Sequence, residues 1–335
     1  MKNEELRMKK LLKKTLKLIL PIVLGGFILY WVYRDFDFSR VGEVLRHGTN
    51  WWWMLFSLLF GVLAQVFRGW RWRQTLEPLD AFPRRSDCVN AIFISYAASL
   101  VVPRIGEVSR CGVLAKYDNV SFAKSLGTVV TERLVDTLTI FLITGITVLL
   151  QMPVFVTFLE NTGTKIPSFA YLLTSVWFYI ILFCFIGVAI LLYYLRKTLF
   201  FYERVKGFVL NIWEGIMSLK GVRNIPLFIF YTLAIWACYF FHFYFTFYCF
   251  AFTAHLGILA ALVMFVGGTF AVIVPTPNGA GPWHFAIMEM MMLYGVNVTD
   301  AGIFALIVHG IQTFLVVLLG VYGLAALPFT NRQRK

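Results

Sequence analysis

The stretch Val102-Pro-Arg-Ile-Gly-Glu-Val-Ser-Arg110 constrains this chain more than any other, because it sets charges directly against an uncharged apolar run, Cys88 to Val102. That run is too short to cross a bilayer as a helix, which takes about 20 apolar residues, and it ends in a helix-breaking proline. A backbone that stops within hydrocarbon leaves donors and acceptors unpaired, so its broken end has to lie inside protein or line a wet cavity. The stretch therefore predicts the tip of a re-entrant hairpin. It turns at Pro103 to Glu107, with Pro103 and Gly106 as hinges, and returns by Lys116.

The hydrocarbon premise comes from composition. Of 335 residues 59% are hydrophobic and 14% charged, and mean hydropathy is +0.75, which describes an all-α polytopic membrane protein. A net charge of +13 would also suit a nucleic-acid binder. The cations, however, cluster where apolar segments end, which is a topology signal and an attraction for anionic lipid, so nucleic acid is not an expected partner. Cys88, Cys111, Cys184, Cys238 and Cys249 sit singly in or beside apolar segments, with no spacing for a disulfide framework or a metal. No cofactor is expected.

Read in order, residues 1–17 form a basic tail before an apolar span from Leu18 to Tyr33. No small-residue cleavage site follows, so the span reads as an uncleaved anchor with its N-terminus in the cytoplasm. Trp51, Trp52 and Trp53 mark the interface where a second span begins, and Arg68-Gly-Trp-Arg-Trp-Arg73 marks its inside end. If Cys88 to Val102 crossed fully, the basic stretch from Arg196 to Arg223 would fall outside. The positive-inside rule favours the hairpin instead.

Spans are then expected at about 125–151 and 169–195, followed by an amphipathic interfacial helix over 199–223, whose apolar residues step by three or four. Another span covers 225–252. The run Leu256 to Val274 breaks at Pro275-Thr-Pro-Asn-Gly-Ala-Gly-Pro282 and resumes to Tyr294, a second hairpin entered from outside, with Pro275, Pro277, Gly279 and Gly281 as hinges. A last span, 300–329, leads to a basic C-terminus in the cytoplasm. The total is about six full spans plus two opposed re-entrant hairpins. Long span, broken hairpin and long span occur in residues 51–151 and again, inverted, in 225–329, a pattern that points to a transporter with a site near the midplane.

Three motifs carry a family resemblance: Val102-Pro-Arg-Ile-Gly-Glu-Val-Ser-Arg110, Thr131-Glu-Arg-Leu-Val-Asp136 and Pro275-Thr-Pro-Asn-Gly-Ala-Gly281. Together they resemble the flippase-type transmembrane domain of the lysylphosphatidylglycerol synthase family, over roughly residues 15–328. The resemblance implies a bacterial inner-membrane protein that moves a lipid between leaflets. In one departure, the family often has a glutamate just after the late Gly-rich motif, whereas this chain has Trp283-His284 and reaches an acid only at Glu289, which bears on headgroup specificity. In another, the synthase carries a soluble aminoacyl-transferase domain after its membrane part, and here only a short basic tail follows Phe329. Synthesis of an aminoacylated lipid is therefore not expected.

Candidate site residues follow from charge at membrane depth, which is costly and faces a cavity or a partner. Arg104 and Arg110 suit a phosphate headgroup, since a guanidinium donates paired hydrogen bonds to phosphate; the structural alternative for Arg104 is a pair with Glu107. Glu132 and Asp136 share a helix face and can partner cations of the first hairpin, with Arg133 either at the headgroup or on a partner. His284, His309 and Glu289 flank the second hairpin and leave proton coupling open, while the spacing of His242, His284 and His309 does not suit a metal. The leading expectation is a non-enzymatic lipid translocase for a phospholipid or polyprenyl-phosphate headgroup. The alternatives are a small-solute transporter, coupled to protons or not, and an enzyme or accessory protein of lipid-linked envelope biosynthesis. An oligomer is compatible with the sequence.

Overall fold

The computed structural model describes residues 19–103, 105–153 and 221–331. Arg104, the basic tail 1–17, Cys184, the span expected at 169–195 and nearly all of the interfacial helix expected at 199–223 lie outside the described residues. Ten α-helices are described: α1 Ile19–Tyr33, α2 Ser39–Glu43, α3 Trp51–Leu76, α4 Arg85–Val101, α5 Ile105–Tyr117, α6 Phe122–Leu150, α7 Ile225–Tyr244, α8 Ile258–Ala271, α9 Pro282–Leu293 and α10 Val298–Thr330. Among the described residues no strand forms beyond an isolated bridge between Thr49 and Phe250.

Four helical segments are long and apolar enough to cross a membrane: Trp51–Leu79, Phe122–Leu150, Ile225–Cys249 and Val298–Thr330. The described part of the first expected span, Ile19–Tyr33, is shorter than a crossing requires. Asparagines start three of the long helices. Asn50 accepts from the Trp52 amide (3.2 Å), Asn224 from Leu227 (3.0 Å) and Asn297 from Asp300 (2.8 Å), each satisfying one of the amides that a helix start leaves without a partner.

The axis of the fold is α10, whose 33 residues extend about 50 Å at 1.5 Å each. The α4–α5 pair lies along its C-terminal half. At the base, an Arg84 Nη1–H donates to the Thr330 carbonyl (2.7 Å) and Asn331 Nδ2–H to Asp87 (3.1 Å). Higher up, Gly323 faces the Asn90 carbonyl and Gly320 faces Ala97 so closely that a methyl on either glycine would collide. Small residues give this backbone-to-backbone packing, as they do between membrane helices. The two helices of the pair fold back on one another: Gly106 passes against the Ser95 carbonyl without room for a Cβ, and Cys88, Ile92, Cys111 and Leu114 share one buried cluster with Trp72 and Val129.

The α8–α9 pair lies along the other half of α10. Gly268 packs on Trp283 and Ile287, and Met264, Ile287, Met288 and Met291 join Phe304 and Val308 in the second core cluster. A four-residue turn joins α9 to α10, so the base of this pair is at the N-terminal end of α10. Its tip, the turn Pro277–Gly279, packs against α4. The two pairs thus approach the middle of α10 from its opposite ends. Around them, α3 runs antiparallel to α7 and to α6, while Leu138, Phe141, Leu142 and Leu149 on α6 and Phe314, Leu318 and Val321 on α10 stay exposed. Apolar surface of that extent suits a hydrocarbon solvent.

Candidate functional site

Five charged side chains are buried together beside the first helix pair. On α3, Arg68 and Arg71 both donate to Asp136 of α6, at 2.8 and 2.7 Å. On α5, Arg110 donates to Glu132 of α6 at 2.7 Å, and its guanidinium lies 4.6 Å from the centre of the Trp72 ring. Arg71 also reaches Glu132 (3.5 Å) and donates to Thr232 of α7 (3.2 Å). Relative exposure is 2% for Arg68, 0% for Arg71, 1% for Arg110, 0% for Glu132 and 6% for Asp136, which leaves none of them in contact with bulk water.

Three arginines against two carboxylates leave a surplus of one positive charge and of N–H donors. Arg68 Nε and Arg110 Nε and Nη2 are buried without a hydrogen-bond partner. Geometry this close justifies burying ions only because each carboxylate meets its partners directly. A sixth and a seventh charge complete the set at its edge. Arg133 Nε donates to Glu107 at 2.8 Å, with side-chain exposures of 44% and 34%, and Arg133 approaches Asp136 at 3.9 Å.

The second pair ends in neutral polar groups. Asn278 (φ +52°), Gly279 (φ +72°) and Gly281 (φ +93°) turn the chain, and the Asn278 amide donates to Thr313 of α10 (2.7 Å). His309 of α10 donates through Nε2–H to the Asn278 carbonyl (3.0 Å). His284 is buried, accepts from the Gly281 amide (3.3 Å), and its ring centre is 4.5 Å from that of His309. His242 on α7 donates through Nδ1–H to the Ser57 carbonyl of α3 (2.7 Å). At Gly281 a Cβ would meet Ile28 and the Gly25 carbonyl of α1, so α1 rests directly on this turn.

Between α4 of the first pair and the second pair lies a cavity with two adjoining lobes. The larger, about 360 Å³, takes Tyr96 from α4, Arg133 from α6, Trp236 and Tyr239 from α7, and Thr269 and Trp283 from the second pair. The smaller, about 180 Å³, adds Gln65 from α3, Asn278, and His309 and Gln312 from α10. Tyr96 and Tyr239 share a hydroxyl–hydroxyl hydrogen bond (2.9 Å) at the wall common to both lobes. Behind that wall the Arg68 guanidinium is 6.0 Å from the Tyr96 ring centre and 5.7 Å from that of Tyr239.

Of the residues singled out from sequence, Glu107, Arg110, Glu132, Arg133 and Asp136 fall in one network, and Arg133 and His309 reach the cavity. Arg110 is enclosed by Glu132 and Trp72. His284 backs the second tip, and Glu289 lies partly buried on α9 away from the lining residues. Arg68 and Arg71 are the members that sequence reasoning missed. Charges at the end of an apolar run look like an interface marker, but α3 continues to Leu76 and carries both inside. Gln65, Tyr96 and Tyr239 had no charge or motif to announce them. Among the described residues, no three His, Cys, Asp or Glu side chains gather as a metal site, and Cys88, Cys111, Cys238 and Cys249 are buried free thiols.

Residues 18–320 match the family described as Lysylphosphatidylglycerol synthase TM region, and the chain belongs to that family. It is a multi-pass membrane protein of a family related to lipid handling. Neither the curated proteins nor the solved structures compared with it gave a match.

Proposed function

We propose that this member of the lysylphosphatidylglycerol synthase TM family is a non-enzymatic lipid translocase of the bacterial inner membrane, in which an anionic headgroup passes through the cavity between the two helix pairs while its acyl chains stay in lipid. The carrying observation is the cavity itself: α4 of the first pair contributes Tyr96 to it and the second pair Thr269, Asn278 and Trp283, and among the described lining residues its one Lys or Arg, Arg133, stands on a partly open wall. A solute carrier would be expected to enclose its cargo, whereas a wall that is open at Arg133 suits a ligand that keeps its tails outside. In this reading both pairs are re-entrant hairpins, and residues 51–151 and 225–329 are repeats of opposite orientation.

The orientation follows from charge. Arg73, Arg84, Arg85, Lys116, Lys124 and Arg223 collect at the end where α4 begins and α10 finishes. The other end mixes Arg34, Asp35, Asp37, Arg40 and Asp300. The first is the cytoplasmic end by the positive-inside rule.

The test is translocation of fluorescent phosphatidylglycerol in proteoliposomes, read with a membrane-impermeant quencher, for the wild type and Arg133→Gln. Translocation above protein-free vesicles is expected, falling about fivefold or more in the variant, as loss of a charge-assisted contact implies. A folded wild type that moves no anionic, zwitterionic or lysyl-modified lipid would overturn the reading.

A further inference from the structure

We infer that the cavity selects a headgroup made of a phosphate diester with uncharged hydroxyls, of the glycerol or sugar type, and rejects headgroups that carry an amine. This rests on the translocation reading for the ligand's being a lipid, and adds the chemical class.

Charge is the first argument. Among the described residues lining the two lobes there is no Asp or Glu, and Arg133 is the one Lys or Arg. The carboxylate closest to Arg133, Glu107 at 2.8 Å, is engaged by Arg133 itself. Taken with the wall behind, and among the described residues, Arg68, Arg71, Arg110 and Arg133 face Glu107, Glu132 and Asp136, so one positive charge is left over next to the cavity. In a site of low dielectric that charge attracts a phosphate and repels an ammonium. An ammonium can also bind aromatic faces. Here the Tyr96 and Tyr239 rings already have the Arg68 guanidinium about 6 Å away, which lowers their attraction for a second cation.

The second argument is unmet hydrogen bonding. Gln65 lines the smaller lobe at 6% exposure, and its Oε1 is buried with no partner. Trp236 lines the larger lobe, and its Nε1–H is likewise buried and unpartnered. A buried polar atom without a partner is costly, and few persist in a fold without a reason. One orphan is an acceptor and the other a donor, and a hydroxyl is both. An ammonium, which only donates, could meet Gln65 Oε1 but would leave the indole N–H unmet, whereas a hydroxyl can serve both.

The experiment is calorimetric titration of the purified full chain in detergent with dioctanoyl phosphatidylglycerol, its lysyl ester and free glycerophosphoglycerol, the tail-less diester headgroup. Phosphatidylglycerol is expected to bind about tenfold tighter than the lysyl ester, the factor of a single charge-assisted contact. Gln65→Glu, which keeps shape and adds the missing acid, is expected to bring the lysyl ester level with phosphatidylglycerol or past it. Equal wild-type affinity for the two lipids would overturn the inference while leaving a lipid site, and so would a Gln65→Glu chain with unchanged preference. Free glycerophosphoglycerol binding as tightly as the lipid would keep the headgroup class and remove the lipid. Binding of none of the three would overturn both.

Discussion

The two helix pairs that meet against α10 are held in place by different chemistry. Glu107 and Arg110 tie α4–α5 to Arg133 and Glu132 of α6, and the same α6 carboxylates hold α3. The α8–α9 pair makes no ion pair among the described residues; it is placed by Gly268 against Trp283, by Gly281 against α1, and by Asn278 between His309 and Thr313. Ionic fastening is all-or-none, because removing one partner leaves a charge without compensation in a place without water. Fastening by fit degrades in steps, a methyl or a hydrogen bond at a time. A third kind of tie stands between them, since Glu107–Arg133 is ionic but partly wet, and it is the one that an incoming anion can compete for.

The sharpest break in that comparison is Asp136→Asn. Arg68 and Arg71 would lose their shared carboxylate, and the expected loss is about 3–5 kcal/mol of stability, seen as a fall in the melting temperature of the detergent-solubilised chain. An unchanged melting curve would mean that the buried ions do not hold the first pair. Next in size is Gly281→Ala, which puts a side chain at φ +93° and into Ile28; about 1–3 kcal/mol is expected. Gly106→Ala, which drives a methyl at the Ser95 carbonyl from a helical φ, tests steric fit in the first pair by the same measurement. Glu107→Gln should change least. Its pair is screened by water, so stability should shift by about 0.5 kcal/mol, while the freed Arg133 should bind phosphatidylglycerol severalfold more tightly in the same titration.

Much of this architecture was written in Pro103 and in Pro275 to Gly281, because proline and glycine break helices by local covalent geometry that needs no tertiary context. The helix boundaries agree with those breaks: α4 ends at Val101 and α8 at Ala271. The acids at 132 and 136 were legible as well, since charge at depth demands a partner. Which partner was not. Asp136 meets Arg68 across 68 positions of sequence, a pairing made by the antiparallel contact of α3 with α6. Arg68 and Arg71 read as a span's end because a basic terminus and a buried basic turn have the same composition. The cavity was beyond reach for a related reason. Gln65, Tyr96, Tyr239 and Gln312 come from four helices, and each looks ordinary on its own.

The position of α10 has a consequence for how the molecule is made. It is the last of the described helices to leave the ribosome, yet Arg84 at the start of the first pair bonds its Thr330, 246 positions later. At about 5–20 residues per second, α4 and α5 wait tens of seconds for the helix whose Gly320 and Gly323 pack against Ala97 and Asn90. During that interval the face of α4 that later carries α10 has nothing of α10 against it, and a chain at such a stage exposes apolar surface to its neighbours.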